Sequence, residues 1–215
     1  MLFSVESAGM STLLHIDSSP RGDRSISRSL THDFVEAWKG SHPGAKVISR
    51  DLGQQPLPYV DESWIAAAFS PELTLEQKAK LGLSDTLIDE LFEADRYVFG
   101  VPMYNLSVPA VFKAYIDQIV RVGRTFAISE KGYEGLLKGK KLTIITASGG
   151  VFREGMPFAP YNFQEPYLRA VWGFIGVTDV EFIVADGVSD VNYGKIDRAA
   201  YLAPIRERAV AAARA

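Results

Sequence analysis

The residues best able to do chemistry lie in three short stretches. The first, Asp17-Ser18-Ser19-Pro20-Arg21-Gly22-Asp23-Arg24-Ser25-Ile26-Ser27, carries four serines, one glycine and two arginines ahead of a helical pattern. A helix N-terminus presents free N–H groups and a partial positive charge, which suits a phosphate. Serine hydroxyls add donors, so a phosphate monoester dianion could be held mostly by neutral groups. The stretch contains neither GxGxxG nor a P-loop signature, which argues against a pyrophosphate site and an ATPase. The alternative is a polar loop in which Ser25 only caps the helix.

The second stretch is Val101-Pro102-Met103-Tyr104-Asn105-Leu106-Ser107-Val108-Pro109. Two prolines stiffen it. Tyr104 and Met103 offer flat or polarizable surface to a ring, and Asn105 offers a donor and an acceptor to a heterocycle edge. Its alternative is an ordinary strand-to-helix loop. The third, Thr146-Ala147-Ser148-Gly149-Gly150-Val151, places paired glycines where a planar ligand could approach the backbone. Its alternative is a flexible turn.

The elements that would position these stretches alternate in kind. Short β-rich runs at Thr12–Asp17, Ala45–Arg50, Arg96–Val101, Lys141–Thr146 and Val177–Ala185 predict five strands. Helical patterns fall at Ser25–Trp38, from a Thr74-x-x-Gln77 capping box to Ala94 with a candidate break at Gly82, from Pro109 to Gly123, at Tyr161–Phe174 and at Tyr193–Ala213. Asp51–Leu73 and Val151–Tyr161 read as irregular connections. This alternation predicts an α/β, doubly wound, five-stranded parallel sheet of order 2-1-3-4-5. The three stretches then follow neighbouring strands at the switch point, beyond the strands' carboxyl ends, where such sheets bind ligands. One suits a phosphate, one a ring face and one a ring edge. Together they describe a phosphorylated planar heterocycle such as FMN.

Composition narrows the reading. The chain has 215 residues, 47% hydrophobic and 23% charged, which predicts one globular domain over residues 11–215 after an unstructured extension at 1–10. A net charge of -3 gives no sign of a nucleic-acid partner. Cysteine is absent, which excludes disulfides, thiolate metal sites and a cysteinyl-linked flavin, so the flavin is expected to be non-covalent and no metal is expected. Neither a signal peptide nor a membrane span is visible, and a cytoplasmic protein is expected. No catalytic triad emerges. His15, His32 and His42 read as structural or solvated, leaving the chemistry to the bound ring.

The segments SSPRGDRSISR, PMYNLSVPAVFKAYIDQIVRVGRTF, TASGG and FIGVTDVEFIVADG, in that order, resemble the FMN-dependent NADH azoreductases, also called NADH:quinone oxidoreductases. The resemblance covers nearly the whole chain after Met10. It implies a flavodoxin-like fold, a homodimer with its flavin near the interface, and two-step transfer of electrons from NADH or NADPH to quinones and azo compounds. It places phosphate contacts on Ser19, Ser25 and Ser27. Ring contacts fall on Met103, Tyr104, Asn105 and Leu106, and on Ser148, Gly149 and Gly150. Leu106 stands where relatives often carry Phe. Apolar residues in the two irregular connections, among them Tyr59, Trp64, Ile65, Phe69, Phe152, Met156 and Phe158, independently suggest an interface; the alternative is that they fold back over the sheet and complete the chain's own core. The rival functions are a flavodoxin-type electron carrier, which the modest charge disfavours, and a nucleotide-sensing module without turnover.

Overall fold

The computed structural model describes residues 11–130 and 132–215, so the extension expected at 1–10 lies outside the described residues. In chain order the strands are β1 (Thr12–Asp17), β2 (Lys46–Asp51), β3 (Arg96–Pro102), β4 (Phe126–Ser129), β5 (Gly132–Gly135), β6 (Lys141–Ala147) and β7 (Asp179–Ala185). The helices are α1 (Ile26–Ser41), α2 (Glu62–Ala68), α3 (Leu75–Glu93), α4 (Ala110–Ile119), α5 (Gln164–Phe174), α6 (Val188–Asn192) and α7 (Arg198–Arg214). The main sheet runs β2-β1-β3-β6-β7, every pair parallel, which is the expected order once the β4–β5 hairpin is counted.

Successive strand side chains point to opposite faces, so each central strand feeds two cores. Leu13, Val98 and Ile145 face one core, built with Leu30, Phe34 and Trp38 of α1 and Leu202, Ala209 and Ala213 of α7. Leu14, Tyr97, Phe99 and Ile144 face the other, with Leu87, Ile88 and Leu91 of α3, Phe112 and Tyr115 of α4, and Leu168 and Trp172 of α5. Burying each of these large side chains contributes about 1.5–3 kcal/mol. Helices therefore cover both faces, and the apolar strands follow from that.

Five features differ from expectation. The connection after Asp51 contains α2, whose N-cap Asp61 accepts from Trp64 N at 2.8 Å and whose Trp64 and Ala67 bury against Leu81. Helix α3 runs through Gly82 unbroken, its capping box intact. A mid-helix glycine costs about 1 kcal/mol, and the buried Leu81, Ser84, Leu87, Ile88 and Leu91 outweigh it. Helix α4 ends at Ile119 because the chain turns at Arg121–Thr125, where Thr125 Oγ1 donates to Ile119 O at 2.7 Å, and then enters the hairpin. Helix α5 starts at Gln164 rather than Tyr161, after a short 3-10 turn (Ala159–Tyr161), and α7 starts at Arg198 rather than Tyr193, where the Asp197 side chain caps it by accepting from Ala200 N at 2.8 Å.

The apolar connections divide. Trp64 is buried, Leu57 packs beside the main core, and Tyr59, Ile65, Phe69, Met156 and Phe158 stay exposed. Part of these connections thus completes the chain's own core, and the rest remains exposed apolar surface.

Candidate functional site

Strand order reverses between β1 and β3, and the loops beyond the carboxyl ends of β1, β3 and β6 converge there. They enclose a cleft of about 210 Å³ walled by Ser19, Arg21, Ser25 and Ile26, by Pro102, Met103 and Tyr104, and by Ala147 and Gly149. Val188 and Asn192 of α6 close one side. This short helix is invisible to periodicity; only the Gly187 that precedes it, at φ 70°, marks its start.

At one end, Ser25 caps α1, its Oγ accepting from Arg28 N at 3.3 Å and lying 3.2 Å from Ser27 Oγ. The first turn of α1 leaves the Ile26 and Ser27 N–H groups without intrahelical acceptors. Ser27 is fully buried and sits behind the cleft wall rather than in it. Arg198 donates to the carbonyls of Arg24 (3.3 Å) and Ser25 (3.4 Å), fixing the loop's exit into the helix.

The loop is braced from below by Arg28, which sequence reasoning did not single out. Its guanidinium meets both oxygens of Asp51 at 2.6 and 2.8 Å and donates to Ser19 O at 2.8 Å and to Asp17 Oδ2 at 3.4 Å. Thr31 Oγ1 donates to Asp17 Oδ1 at 2.8 Å, and His15 Nε2 lies 3.2 Å from Asp17 Oδ2, so His15 belongs to the scaffold. Hydrogen bonding to Asp51 raises the Arg28 pKa against an opposing effect of burial. Burial pushes the Asp51 carboxyl up, but the Arg28 hydrogen bond and charge outweigh it and hold the group below its ordinary value. The brace is electrically satisfied, so an anion in the cleft meets hydroxyls and a helix end rather than a free Arg28. Gly53 lets the next segment press on the same loop: a Cβ there would lie 2.2 Å from Ser19 O.

At the other end, residues 104–107 form a two-residue turn closed by Tyr104 N–H to Ser107 O (2.9 Å) and Ser107 N–H to Tyr104 O (3.1 Å). Both central residues are left-handed, Asn105 at φ 48° and Leu106 at φ 73°. Asn tolerates that region, whereas a leucine there costs about 1–2 kcal/mol. Strain of this kind collects at functional sites. Tyr104 and Asn105 also line a shallow groove of about 480 Å³ with Ser107, Val108, Lys113 and Tyr167. Met103 and Ser148 line a tight recess of about 40 Å³ with Phe152, Gln164 and Asp186. A Cβ at Gly149 would lie 2.8 Å from Ser189 Oγ, so a larger residue there would have to turn that hydroxyl aside. Gly150 and Leu106 are outside these walls: the Gly150 carbonyl accepts from Ser148 Oγ at 2.9 Å, and Leu106 is exposed at the turn's tip.

The structure therefore brings Ser19, Ser25, Met103, Tyr104 and Gly149 to one cleft, with Asn105 and Ser148 in its two extensions. Among the described residues no cluster of metal-ligating side chains occurs, and no helix is long and apolar enough to cross a membrane.

Residues 11–209 match the family described as having a flavodoxin-like fold. The chain is 58% identical over 201 residues to the FMN-dependent NADH:quinone oxidoreductase 2 of Trichormus variabilis, spanning 92% of this chain and 96% of that one. It is 60% identical over 183 residues to the FMN-dependent NADH:quinone oxidoreductase of a Nostoc species, spanning 84% and 88%. Its backbone superposes on an azoreductase from Bacillus anthracis strain Sterne with a TM-score of 0.84 at 31% identity, over 95% of this chain and 99% of that one. An FMN-dependent NADH-azoreductase from the Ames Ancestor strain, solved in complex with FMN, gives 0.83 at 25% identity over 95% and 98%. With the switch-point cleft and these likenesses in hand, the chain belongs to the flavodoxin-like family that includes the FMN-dependent NADH:quinone oxidoreductases.

Proposed function

We propose that this chain, folded as one domain over residues 11–215, is a cytoplasmic enzyme. It binds FMN non-covalently and passes two electrons from NADH or NADPH to quinones and aromatic azo compounds. The observation that carries the proposal is the cleft itself. A capped helix N-terminus with Ser19 and Ser25 stands at one end, and Met103, Tyr104 and Gly149 stand together at the other.

The fit to FMN is chemical. Ser19 and Ser25, the α1 backbone N–H groups and Arg21 at the rim would take the phosphate, with Ser27 steadying the Ser25 hydroxyl. Met103 and Tyr104 would lie against the ring. Asn105, Leu106, Ser148, Gly149 and Gly150 would meet its polar edge through side-chain and backbone groups. FMN, when bound, supplies the hydride chemistry, because no side chain of the cleft is arranged as a nucleophile and base. The chain's residues bind, orient and exclude water. NADH or NADPH would leave before the acceptor enters, a ping-pong order that follows if both use the same open face.

The exposed Tyr59, Phe69, Phe158 and Tyr161 support a homodimer in which partner aromatics wall the flavin and favour flat, apolar acceptors. An electron carrier is the less favoured reading, since the similar proteins at about 60% identity bear the names of enzymes. Mass spectrometry of the purified protein after mild heat should release intact FMN. FAD, or no flavin after reconstitution, would overturn the proposal.

A further inference from the structure

Strand β3 overruns its neighbour at the switch point. Its register with β1 ends at Asp17↔Gly100, whereas its register with β6 continues through Pro102↔Ala147. The carbonyls of Val101 and Pro102 therefore lie past the end of β1. Both are taken by one side chain: Gln164 Nε2 donates to Val101 O at 3.1 Å and to Pro102 O at 3.0 Å. Gln164 is 2% exposed, and only an N–H can face two carbonyl oxygens. The preceding residue reaches the far end of the same segment, Phe163 N–H donating to Leu106 O at 3.2 Å. Two consecutive residues at the start of α5 thus hold both ends of Met103-Tyr104-Asn105-Leu106, which contains the two left-handed non-glycine residues of the described chain.

We infer that Gln164 is a positioning residue for the flavin ring, the side-chain half of a clasp that keeps the strained Tyr104–Ser107 turn in its binding geometry. The inference rests on the proposed FMN site and adds a residue that the site's three loops do not contain. A glutamine that only anchored α5 would have no reason to act on the two residues immediately before Met103. With the donors gone, two buried carbonyls each lose a hydrogen bond, and the turn is free to relieve its strain.

The test compares the unaltered protein with Gln164→Leu and Gln164→Glu. Hydrogen exchange is followed in the FMN-free protein, and FMN affinity by titration. In Gln164→Leu the amides of Tyr104 and Ser107 are expected to exchange at least tenfold faster, with Val98 in the sheet unchanged, and the FMN Kd to rise at least fivefold. In Gln164→Glu a carboxylate would face two carbonyls, which raises its pKa. Its protonated form restores one donor, so FMN affinity should recover as pH falls, while Gln164→Leu shows no such recovery. Should Gln164→Leu fail to fold, the pH response of Gln164→Glu decides the matter. Unchanged exchange at Tyr104 and Ser107, with only a lowered melting temperature, would overturn the clasp. If the unaltered chain fails to bind FMN, the functional proposal falls, and the exchange comparison still judges the clasp separately.

Discussion

Replacing Ser25 and Ser27 together by alanine separates a phosphate site from a helix cap. The Ser25 Oγ accepts from Arg28 N and lies 3.2 Å from Ser27 Oγ, so the pair serves α1 and, on the proposed reading, the phosphate as well. Loss of the cap alone costs about 1 kcal/mol, or about 2–4 °C of melting temperature for a chain of this size. A hydrogen bond to a charged group is worth about 1.5–3 kcal/mol. The two hydroxyls touch each other, so their losses will not simply add, and about 2–4 kcal/mol is a fair combined figure. That corresponds to an FMN Kd raised about 30- to 900-fold. The assay is quenching of FMN fluorescence on binding, well below the melting temperature, alongside thermal unfolding of the apo protein. Because Arg28 is matched by Asp51 and Asp17, it should contribute little to the salt dependence of FMN affinity, which is left to Arg21 at the rim. A few degrees of lost stability with an unchanged Kd would show that the serines only cap the helix.

Asn105→Ala should keep the fold but lower FMN affinity or shift the flavin's reduction potential; wild-type values of both, with wild-type turnover, would remove Asn105 from the site. Asp51→Asn breaks the Arg28 brace. The folded Asp51 pKa lies below its unfolded value, so its contribution is present above about pH 4 and lost as pH falls through the folded pKa. Asp51→Asn should therefore melt lower than wild type at neutral pH, with the gap closing in acid; a gap independent of pH would contradict the brace. Light scattering of the active protein should give about twice the 23.6 kDa chain mass, and a fully active monomer would end the idea of a shared site.

The sheet order and the three loops that converge on the cleft were legible because both rest on strong local patterns. The β-branched apolar runs mark buried strands, and Ser25 and the Thr74–Gln77 box mark helix starts by side-chain chemistry. What escaped was short or non-local. Helix α2, seven residues long, hides between proline-rich flanks and is defined by Asp61 and by burial of Trp64 against a different helix. The β4–β5 hairpin depends on Phe126, Tyr133 and Phe174 meeting across elements, ring centroids 4.8–6.2 Å apart. Arg28 and Gln164 read as ordinary helix residues until the fold shows which carbonyls and carboxylates they meet. Spacing along a chain does not say which way a side chain faces, so the sequence left open that Ser27 is buried against Ser25 and that Leu106 is exposed at the turn's tip.

The central claim is that this cleft makes an enzyme of the chain. Stopped-flow mixing of the FMN-loaded protein with NADH, followed by a second mix with a simple benzoquinone under anaerobic conditions, tests it most directly. The account predicts rapid loss of the visible flavin band in the first mix, no faster when quinone is already present, and its full return in the second. A flavin that NADH leaves coloured, or that bleaches only when quinone and NADH are present together, would contradict it.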